Sequence, residues 1–209
     1  MEKKRCYIVG AGEFCEKILP EKGDYIIAAD AGYTALNSRA ITPDVIIGDF
    51  DSLGEVPNHP NVIRSSAEKD DTDMMLAVKF GLMLGYTYFT INGGLGGRPD
   101  HTYSNIQTLA YLADNEVTGI LYSDETCMTA IKDGVYNFSS DEIIPGNRVS
   151  IFCHNDKAKG VSLYGLKYPL ENETLTNISP IGVSNEFTEN KASVEVKNGL
   201  LIIMWDVSK

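Results

Sequence analysis

The fold is decided by the stretch Asp44-Val-Ile-Ile-Gly-Asp-Phe-Asp-Ser52. Val45–Ile47 is a short β-branched run of the kind that forms a buried parallel strand, and Gly48 permits a tight exit from it. If the following segment is extended, Asp49 and Asp51 point the same way, because side chains two residues apart share a face. Two carboxylates would then stand at the carboxyl end of a parallel strand, where open α/β sheets bind ligands.

Strand and helix patterns alternate on both sides of this stretch, from residue 5 to about residue 121. Three further apolar runs predict strands at Cys6–Val9, Tyr25–Ala29 and Tyr88–Ile91. The clearest helical patterns are Asp71–Leu84 and His101–Ala113, each with one apolar face. Strands that alternate with helices predict right-handed crossovers and a Rossmann-like parallel sheet.

After about residue 123 the pattern changes to short strands separated by turn residues. The predicted strands are Glu125–Ile131, Gly134–Phe138, Arg148–Cys153, Gly160–Tyr164, Ala192–Val196 and Leu200–Trp205. Asn198-Gly199, between the last two, is typical of a β-hairpin. We therefore predict an α/β domain over residues 1–123 and an antiparallel β domain over residues 124–209.

The composition narrows the classes of function. The 209-residue chain has a formal net charge of -11, which disfavours binding to nucleic-acid phosphates and suits a protein that binds cations. The four cysteines (Cys6, Cys15, Cys127 and Cys153) lack zinc-site spacing and are expected to be reduced thiols. Since no apolar run reaches the length of a membrane span or a signal-peptide core, we expect a cytoplasmic protein without a membrane partner.

Carboxylates are concentrated around the deciding stretch. Residues 44–73 hold eight of the 29 aspartates and glutamates of the chain. Two like charges as close as Asp49 and Asp51 repel each other unless a cation lies between them. Mg²⁺ binds one or two carboxylates together with water and phosphate oxygens. The alternative is a solvated loop in which aspartate forms the turn, but the buried strand and Gly48 favour a metal site.

Two further segments place polar residues at strand ends or helix starts. Lys69-Asp-Asp-Thr-Asp73 opens the predicted helix, with Asp70 as N-cap in one interpretation. Capping does not account for three aspartates in five residues, so this helix start also offers a metal ligand or a base for a substrate hydroxyl. Asp30 ends the second strand and either joins a ribose or metal site or caps the next helix. Gly10-Ala-Gly12 is interpreted as a plain strand–helix turn.

A glycine-rich loop, Asn92-Gly-Gly-Leu-Gly-Gly-Arg-Pro-Asp-His101, follows a strand and opens a helix. Its four glycines let backbone amides approach an anion, and the helix N-terminus adds its dipole. Arg98 is able to contact phosphate oxygens in a bidentate manner, and His101 and Asn105 share a helix face. The alternative is a flexible loop capped by Asp100. The spacing is not that of a Walker P-loop.

Taken together, these motifs resemble the thiamine pyrophosphokinase family. The matching pieces are Asp30-Ala-Gly32, Pro43–Ser52, Lys69–Asp73, Gly96–His101 with Asn105, and Ser184-Asn-Glu186. Each motif is modest, but the ordered set spans nearly the whole chain and is specific. The resemblance implies an α/β domain that binds ATP and Mg²⁺, followed by a β-sandwich domain that binds thiamine. It also implies transfer of pyrophosphate from ATP to thiamine, giving thiamine diphosphate and AMP, by a homodimer with thiamine at the subunit interface.

The resemblance also implies roles for individual residues. Asp49, Asp51 and Asp73 would hold Mg²⁺ and orient the thiamine hydroxyl, while Arg98 and Asp100 would contact the nucleotide phosphates and their metal. The other residues of the implied ATP site are Asp30, Lys69, Thr72, Gly96, Gly97, His101 and Asn105. One of Asp70, Asp71 or Asp73 would take the hydroxyl proton.

The β domain carries the implied thiamine site. Ser184 and Asn185 would line the thiamine pocket. Some relatives carry a tryptophan on the final strand against the thiamine ring. Here that position corresponds to Ile202, and Trp205 falls three residues later, as a core or interface residue.

Other functions remain as alternatives. A nucleotide-sugar glycosyltransferase also uses a strand-end D-x-D, although it does not need the Gly96–His101 motif. A haloacid-dehalogenase-type phosphatase would carry Asp-x-Asp-x-Thr, whereas Asp51 is followed by Ser52-Leu53. Another Mg²⁺-dependent pyrophosphoryl or nucleotidyl transferase is possible, and a non-catalytic nucleotide-sensing module would bind ATP without turnover.

Overall fold

The computed structural model describes residues 5–51, 54, 56–66 and 70–207. The chain divides into two compact units, of which the first contains residues 1–108 and 119–124 and the second contains residues 109–118 and 125–209. The domain boundary that the sequence places after residue 123 stays a prediction.

The first unit is built on a parallel sheet. Its described elements are β1 (Arg5–Val9), β2 (Tyr25–Ala29), α1 (Gly32–Asn37), β3 (Val45–Gly48), β4 (Val62–Arg64), α2 (Asp73–Met83), β5 (Tyr88–Asn92), α3 (Pro99–Asp114), which ends in the second unit, and β6 (Thr118–Tyr122). The strand order is β6-β5-β1-β2-β3-β4. The pairs from β5 to β4 are parallel, as predicted. No bounds were predicted from the sequence for three of these elements: α1, β4 and β6.

The strands of this sheet are apolar throughout because both faces are covered. Ile8, Ile27, Ile46 and Ile91 are fully buried, which is the pattern of a strand in a parallel sheet. Around Ile46 lies a hydrophobic cluster that consists of Tyr7, Val9, Ala28, Leu36, Ile46 and Phe50. The carboxyl ends of these strands form the edge that carries the polar residues described below.

The connection between β1 and β2 differs from the prediction. No helix occurs among residues 10–24, so the interpretation of Gly10-Ala-Gly12 as a strand–helix turn is wrong. The amide of Gly10 donates to the carbonyl of Asn92 at 2.8 Å, and that of Gly12 donates to Gly93 at 2.7 Å. A Cβ at Gly12 would lie 2.2 Å from the carbonyl oxygen of Leu95. These glycines permit close approach of two loops, which is a role that sequence spacing does not reveal.

The buried side-chain amide of Asn92 also holds the connection between β1 and β2 in place. The side chain of Asn92 accepts a hydrogen bond from the amide of Cys15 at 2.8 Å and donates to the hydroxyl of Tyr7 at 2.9 Å. Its Nδ2 also contacts the carbonyls of Cys15 and Ile18. Because every polar atom of Asn92 is used, residues 10–18 are fixed against the end of β5.

The second unit is a β-sandwich. Its described strands are β7 (Thr126–Lys132), β8 (Val135–Asn137), β9 (Arg148–Cys153), β10 (Lys157–Tyr164), β11 (Leu170–Thr176), β12 (Asn185–Glu186), β13 (Ser193–Glu195) and β14 (Leu200–Asp206). They pair antiparallel in the orders β12-β9-β14-β7 and β11-β10-β13-β8. Trp205 of β14 packs against Tyr136 and Phe138, with ring centroids 5.7 and 5.5 Å apart. The predicted antiparallel β domain is confirmed.

The predicted hairpin at Asn198-Gly199 is wrong. Strand β13 pairs with β8 and β10, whereas β14 pairs with β7 and β9. A two-residue type I′ turn needs positive φ at both positions, and of these two residues only Gly199 has it, at 127°. The dipeptide therefore carries the chain from one sheet of the sandwich to the other.

The four cysteines are buried free thiols, in agreement with the sequence. In the part of the chain that the structure describes, no helix is long and apolar enough to cross a membrane.

Candidate active site

A cleft of about 510 Å³ opens in the first unit where β1, β2, β3 and β5 end. Most of the predicted site residues of this unit form its wall. They are Asp30, Asp49, Asp51, Thr72, Asp73, Gly96, Gly97, Arg98, His101 and Asn105. Gly93 and Gly94 of the predicted glycine-rich loop also lie in the wall. The wall further contains residues that the sequence did not indicate as site residues, namely Gly10, Ala11, Gly12, Ala29 and Met74. Asp70 and Asp100 are not part of the wall, and Lys69 lies outside the described residues.

Three carboxylates converge in this cleft. Asp30, Asp49 and Asp51 each place one oxygen so that the three oxygens lie within 4.8 Å of one another. Three negative charges at that separation repel, and a divalent cation with a preference for oxygen ligands relieves the repulsion. The residues present therefore fit Mg²⁺. Asp73 and Asp100, also predicted as metal ligands, lie outside this group of described side chains.

The backbone that brings Asp49 and Asp51 together is not extended, contrary to the prediction. Phe50 has φ of 65°, in the left-handed region, and the amide of Asp51 contacts Oδ1 of Asp49 at 3.3 Å. The ring of Phe50 is 3% exposed and belongs to the hydrophobic cluster of the first unit. The two carboxylates thus converge through a tight turn that is anchored by the buried ring.

Asp30, the third carboxylate of the group, is itself a left-handed residue. Its φ is 47°, and a Cβ at Gly48 would lie 3.0 Å from the Cα of Asp30. Gly48 therefore leaves the space that Asp30 occupies. Helix α1 has Ala31 as its N-cap without a side-chain capping bond, so Asp30 does not cap that helix.

The polar residues at the start of α2 have different partners and therefore different roles. Thr72 is the N-cap, and its hydroxyl accepts from the amide of Met75 at 3.2 Å, so the assignment of Asp70 as N-cap is wrong. Asp71 pairs with Lys79 at 2.6 Å. Asp73 accepts from the hydroxyl of Ser65 at 3.3 Å and lines the cleft. Of the three candidate bases, Asp73 is the one at the cleft wall.

The glycine-rich loop takes a conformation that glycine adopts without strain. Gly93, Gly96 and Gly97 have φ of 66°, 79° and 65°. Asn105 donates from Nδ2 to the carbonyl of Gly94 at 2.7 Å and so fixes the loop to α3. Among the described hydrogen bonds, none uses the amides of Gly96 and Gly97. These amides are therefore available to an anion at the N-terminal end of α3.

Arg98 and Asp100 form an exposed pair at the mouth of the cleft. Nη2 of Arg98 lies 2.6 Å from Oδ2 of Asp100, and Nε lies 3.2 Å from Oδ1. The hydrogen bond from Arg98 lowers the pKa of Asp100 below its ordinary value. Helix α3 begins at Pro99, a first-turn position that suits proline. Arg98 is thus held beside the cleft by a carboxylate, and its guanidinium has the geometry to bind phosphate oxygens as well.

The predicted thiamine residues lie in the second unit, beside β12. Ser184 is exposed and left-handed, with φ of 58°. Asn185 is 3% exposed, and its Oδ1 accepts from the amides of Tyr168 and Glu186, both at 2.9 Å. Its Nδ2 donates to the carbonyl of Tyr168 at 2.7 Å. The amide of Asn185 is therefore used in holding the chain around Tyr168.

Comparison with known proteins decides the family. A model of the thiamin pyrophosphokinase catalytic domain matches residues 17–121, and a model of the thiamin pyrophosphokinase vitamin B1 binding domain matches residues 137–201. The chain belongs to the thiamin pyrophosphokinase family. It is an enzyme of that type, and the family and enzyme class predicted from the motifs are confirmed.

Relatives match over most of their length. Thiamine pyrophosphokinase of Bacillus subtilis strain 168 is 29% identical over 184 residues, covering 85% of each chain. Thiamin pyrophosphokinase 1 of Caenorhabditis elegans is 26% identical and covers 86% of this chain and 78% of its own. The crystal structure of the B. subtilis enzyme superposes with a TM-score of 0.85 at 27% identity, over 99% of this chain and 100% of that one. These matches confirm the α/β plus β-sandwich architecture.

Trp205, on the final strand, is part of the core in this member of the thiamin pyrophosphokinase family. Trp205 is 1% exposed and packs within the aromatic core of the second unit. Its indole N–H has no hydrogen-bond partner among the described residues. Trp205 is therefore a core residue, one of the two alternatives that the sequence left open.

The part of the cleft that sequence reasoning missed is the Gly10–Gly12 loop. A signal was present, because these residues follow β1 and the carboxyl ends of parallel strands share one edge. The missing knowledge was which strands are neighbours: β1 lies between β2 and β5, so its loop falls between the carboxylates and the glycine-rich loop.

Proposed function

We propose that this protein is a Mg²⁺-dependent enzyme that transfers pyrophosphate from ATP to the hydroxyl of thiamine, giving thiamine diphosphate and AMP. The observation that carries the proposal is one cleft in which the carboxylates of Asp30, Asp49 and Asp51 face glycine amides and Arg98. Carboxylates alone would repel a triphosphate, whereas carboxylates that hold a cation, beside Arg98 and amides, form a phosphoryl-transfer site. The family of the chain supports the same reaction.

In the proposed mechanism Asp30, Asp49 and Asp51 hold Mg²⁺, which supplies charge neutralisation for the phosphate oxygens. The amides of Gly96 and Gly97 bind phosphate oxygens, and Arg98 exchanges Asp100 for the nucleotide. Thr72, His101 and Asn105 complete the ATP site, and Lys69 and Asp70 flank it in sequence. Asp100 stays a proposed further metal ligand.

The chemical step forms one bond and breaks one. The thiamine hydroxyl oxygen attacks the β-phosphorus, and the bond from that phosphorus to the oxygen bridging to the α-phosphate breaks, so AMP leaves. Asp73 accepts the hydroxyl proton, because it is the candidate base at the cleft wall. Arg98 offsets the charge that develops on the leaving phosphate.

We further propose that residues 1–123 form the ATP and Mg²⁺ domain and that residues 124–209 form the thiamine domain. Ser184 would contact thiamine, and Asn185 would position the pocket. The protein would act in the cytoplasm as a homodimer with thiamine at the subunit interface. Support for a covering subunit comes from Ile178 and Ile181, which are 89% and 62% exposed close to Ser184. Exposed apolar side chains that form a contiguous patch are typical of interaction surfaces, and these two are three residues apart in the chain.

The test of the reaction is an incubation with thiamine, ATP and Mg²⁺, followed by chromatography of thiamine diphosphate and AMP. We expect equal amounts of both products and none when the metal is chelated. Binding of ATP with release of ADP, or without any product, would reject the proposed reaction and favour a sensing module. Light scattering tests the dimer separately: we expect twice the chain mass, and a monomeric mass for Ile178→Asp.

A further inference from the structure

A second cleft of about 430 Å³ adjoins the carboxylate group on the side of β4. It shares Asp49 and Asp51 with the larger cleft, and Arg64, Ser65 and Ser66 are among the other residues that line it. The two clefts therefore meet at the proposed metal ligands and extend from them toward different loops. The proposed function uses the larger cleft and leaves the smaller one unassigned.

The position of Arg64 is fixed by the pairing of the edge strand. Arg64 is the last residue of β4 and lies in register with Gly48 of β3, the residue before Asp49. The amide of the next residue, Ser65, donates to the carbonyl of Gly48 at 2.9 Å, and its hydroxyl contacts Asp73. The backbone that carries Arg64 is therefore held at the level of the carboxylate turn.

The charge of Arg64 is not neutralised within the described structure. The guanidinium is exposed and forms no ion pair or hydrogen bond with the described residues. Four other arginines are paired with carboxylates, namely Arg5, Arg39, Arg98 and Arg148. An unpaired guanidinium in a cleft that also contains metal-binding carboxylates suits an anion that binds the metal as well, since guanidinium geometry matches phosphate oxygens.

We propose that Arg64 binds the terminal phosphate of the nucleotide, on the opposite side of the metal ligands from the glycine-rich loop. The inference rests on the proposed function, because it takes ATP as the ligand of the larger cleft. In the proposed function the amides of Gly96 and Gly97 bind phosphate oxygens on one side of the metal ligands Asp49 and Asp51. The terminal phosphate of ATP would extend into the smaller cleft, toward Arg64.

The test compares nucleotides that differ in their terminal phosphates. The wild type, Arg64→Met and Arg64→Lys would each be titrated calorimetrically with ATP and, separately, with AMP. Mg²⁺ would be present and thiamine absent. We expect Arg64→Met to weaken ATP binding by roughly tenfold or more, the worth of a charge-assisted hydrogen bond, and to leave AMP binding unchanged. Arg64→Lys retains the charge and should recover part of the affinity. Lys22→Met, which removes an exposed charge from the loop before β2, is the control and should bind both nucleotides normally.

Two results would overturn the inference: unchanged ATP affinity in Arg64→Met, or equal weakening of ATP and AMP. Failure of the wild type to bind ATP would reject both the inference and the proposed function. Because the titration requires no turnover, a wild type that binds ATP through Arg64 but makes no thiamine diphosphate would reject the proposed reaction alone. If the wild type turns over fully and Arg64→Met binds ATP as tightly as the wild type, only the role of Arg64 would be rejected.

Discussion

The carboxylate turn (residues 48–51) and the glycine-rich loop (residues 93–98) enter the same cleft with left-handed backbone, but they sustain it differently. In the glycine-rich loop the left-handed positions are glycines, for which positive φ has no steric cost. In the carboxylate turn the left-handed residue is Phe50, where a side chain makes this conformation cost about 1–2 kcal/mol. Burial of the ring in the hydrophobic cluster of the first unit offsets that cost.

This difference shows how each loop holds its ligand groups. The glycine-rich loop is buried at Gly93–Leu95 but has no aromatic anchor, and it is fixed by Asn105 and by contacts with the Gly10–Gly12 loop. The carboxylate turn has a packed anchor but opposes its own backbone preference. Changes at Phe50 should therefore affect stability, changes at Asp51 should affect catalysis, and changes in the glycine contacts should affect both.

The largest expected effect is the loss of the buried anchor. Phe50→Ala should lower the free energy of unfolding by about 3–5 kcal/mol, as for other buried phenylalanines. Phe50→Gly should be at least as stable as Phe50→Ala, because it relieves left-handed strain of about 1–2 kcal/mol. Urea unfolding of the two variants measures this. At an unstrained position alanine is normally more stabilising than glycine. If Phe50→Ala proved more stable than Phe50→Gly, residue 50 would not be strained, and backbone strain would not distinguish the two loops.

The next effect is on rate. Asp51→Asn keeps the shape of the turn but removes one charge from the metal group, so kcat should fall by roughly 10²–10³-fold, the size seen when one preorganised electrostatic group is lost. Asp51 is exposed, so the urea midpoint should change little. Initial rates and unfolding curves would be compared with Asp156→Asn, an exposed aspartate of the second unit that should match the wild type. Near-normal turnover in Asp51→Asn would remove Asp51 from the metal site.

The parts of the molecule that the sequence predicts are those with a local signal. A glycine-rich segment after a strand indicated a phosphate-binding loop, and the D-x-D motif after a buried strand indicated converging carboxylates. The left-handed turn at Phe50 was not predictable, because it depends on where the ring packs. The hairpin at Asn198-Gly199 was predicted wrongly, because a turn signal does not say to which sheet each strand belongs. The role of Gly12 was assigned wrongly because its partner, Leu95, is distant in sequence.

A third effect should come from the contact between the Gly10–Gly12 loop and the glycine-rich loop. A Cβ at Gly12 would lie 2.2 Å from the carbonyl oxygen of Leu95 and 2.8 Å from that of Gly93, so backbone must move. Gly12→Ala should lower stability by about 1–3 kcal/mol and should weaken ATP binding as the two loops separate. In Gly134→Ala the nearest atom is 3.4 Å away, so this control should stay within about 0.5 kcal/mol of the wild type. Equal stability of the two variants would mean that the loops are not held by this contact.

The smallest effect concerns pH and the support beneath the glycine-rich loop. Tyr7 donates from its hydroxyl to the carbonyl of Ile18 at 2.6 Å and accepts from Asn92. Burial raises the pKa of Tyr7 to about 12, although the hydrogen bond from Asn92 opposes the shift. The ordinary pKa of tyrosine is about 10. Between these values the unfolded chain releases the proton and the native chain retains it, so the free energy of unfolding falls as pH rises, by about 1 kcal/mol at pH 11.

Burial also raises the pKa of the Cys6, Cys15 and Cys153 thiols, so Tyr7 is one of several buried groups whose ionisation lowers the free energy of unfolding at alkaline pH. Tyr7→Phe removes one of them. This variant should be less stable at neutral pH, because Asn92 and Ile18 lose a partner, yet its stability should fall less steeply between pH 9 and 11. Urea unfolding across that range separates the two contributions, since only the slope reports titration. Parallel curves for the wild type and Tyr7→Phe would show that the alkaline loss comes from groups other than Tyr7, such as the buried thiols. A flatter curve would show that the glycine-rich loop rests on a neutral hydrogen-bond network, whereas the carboxylate turn is anchored by the apolar ring of Phe50.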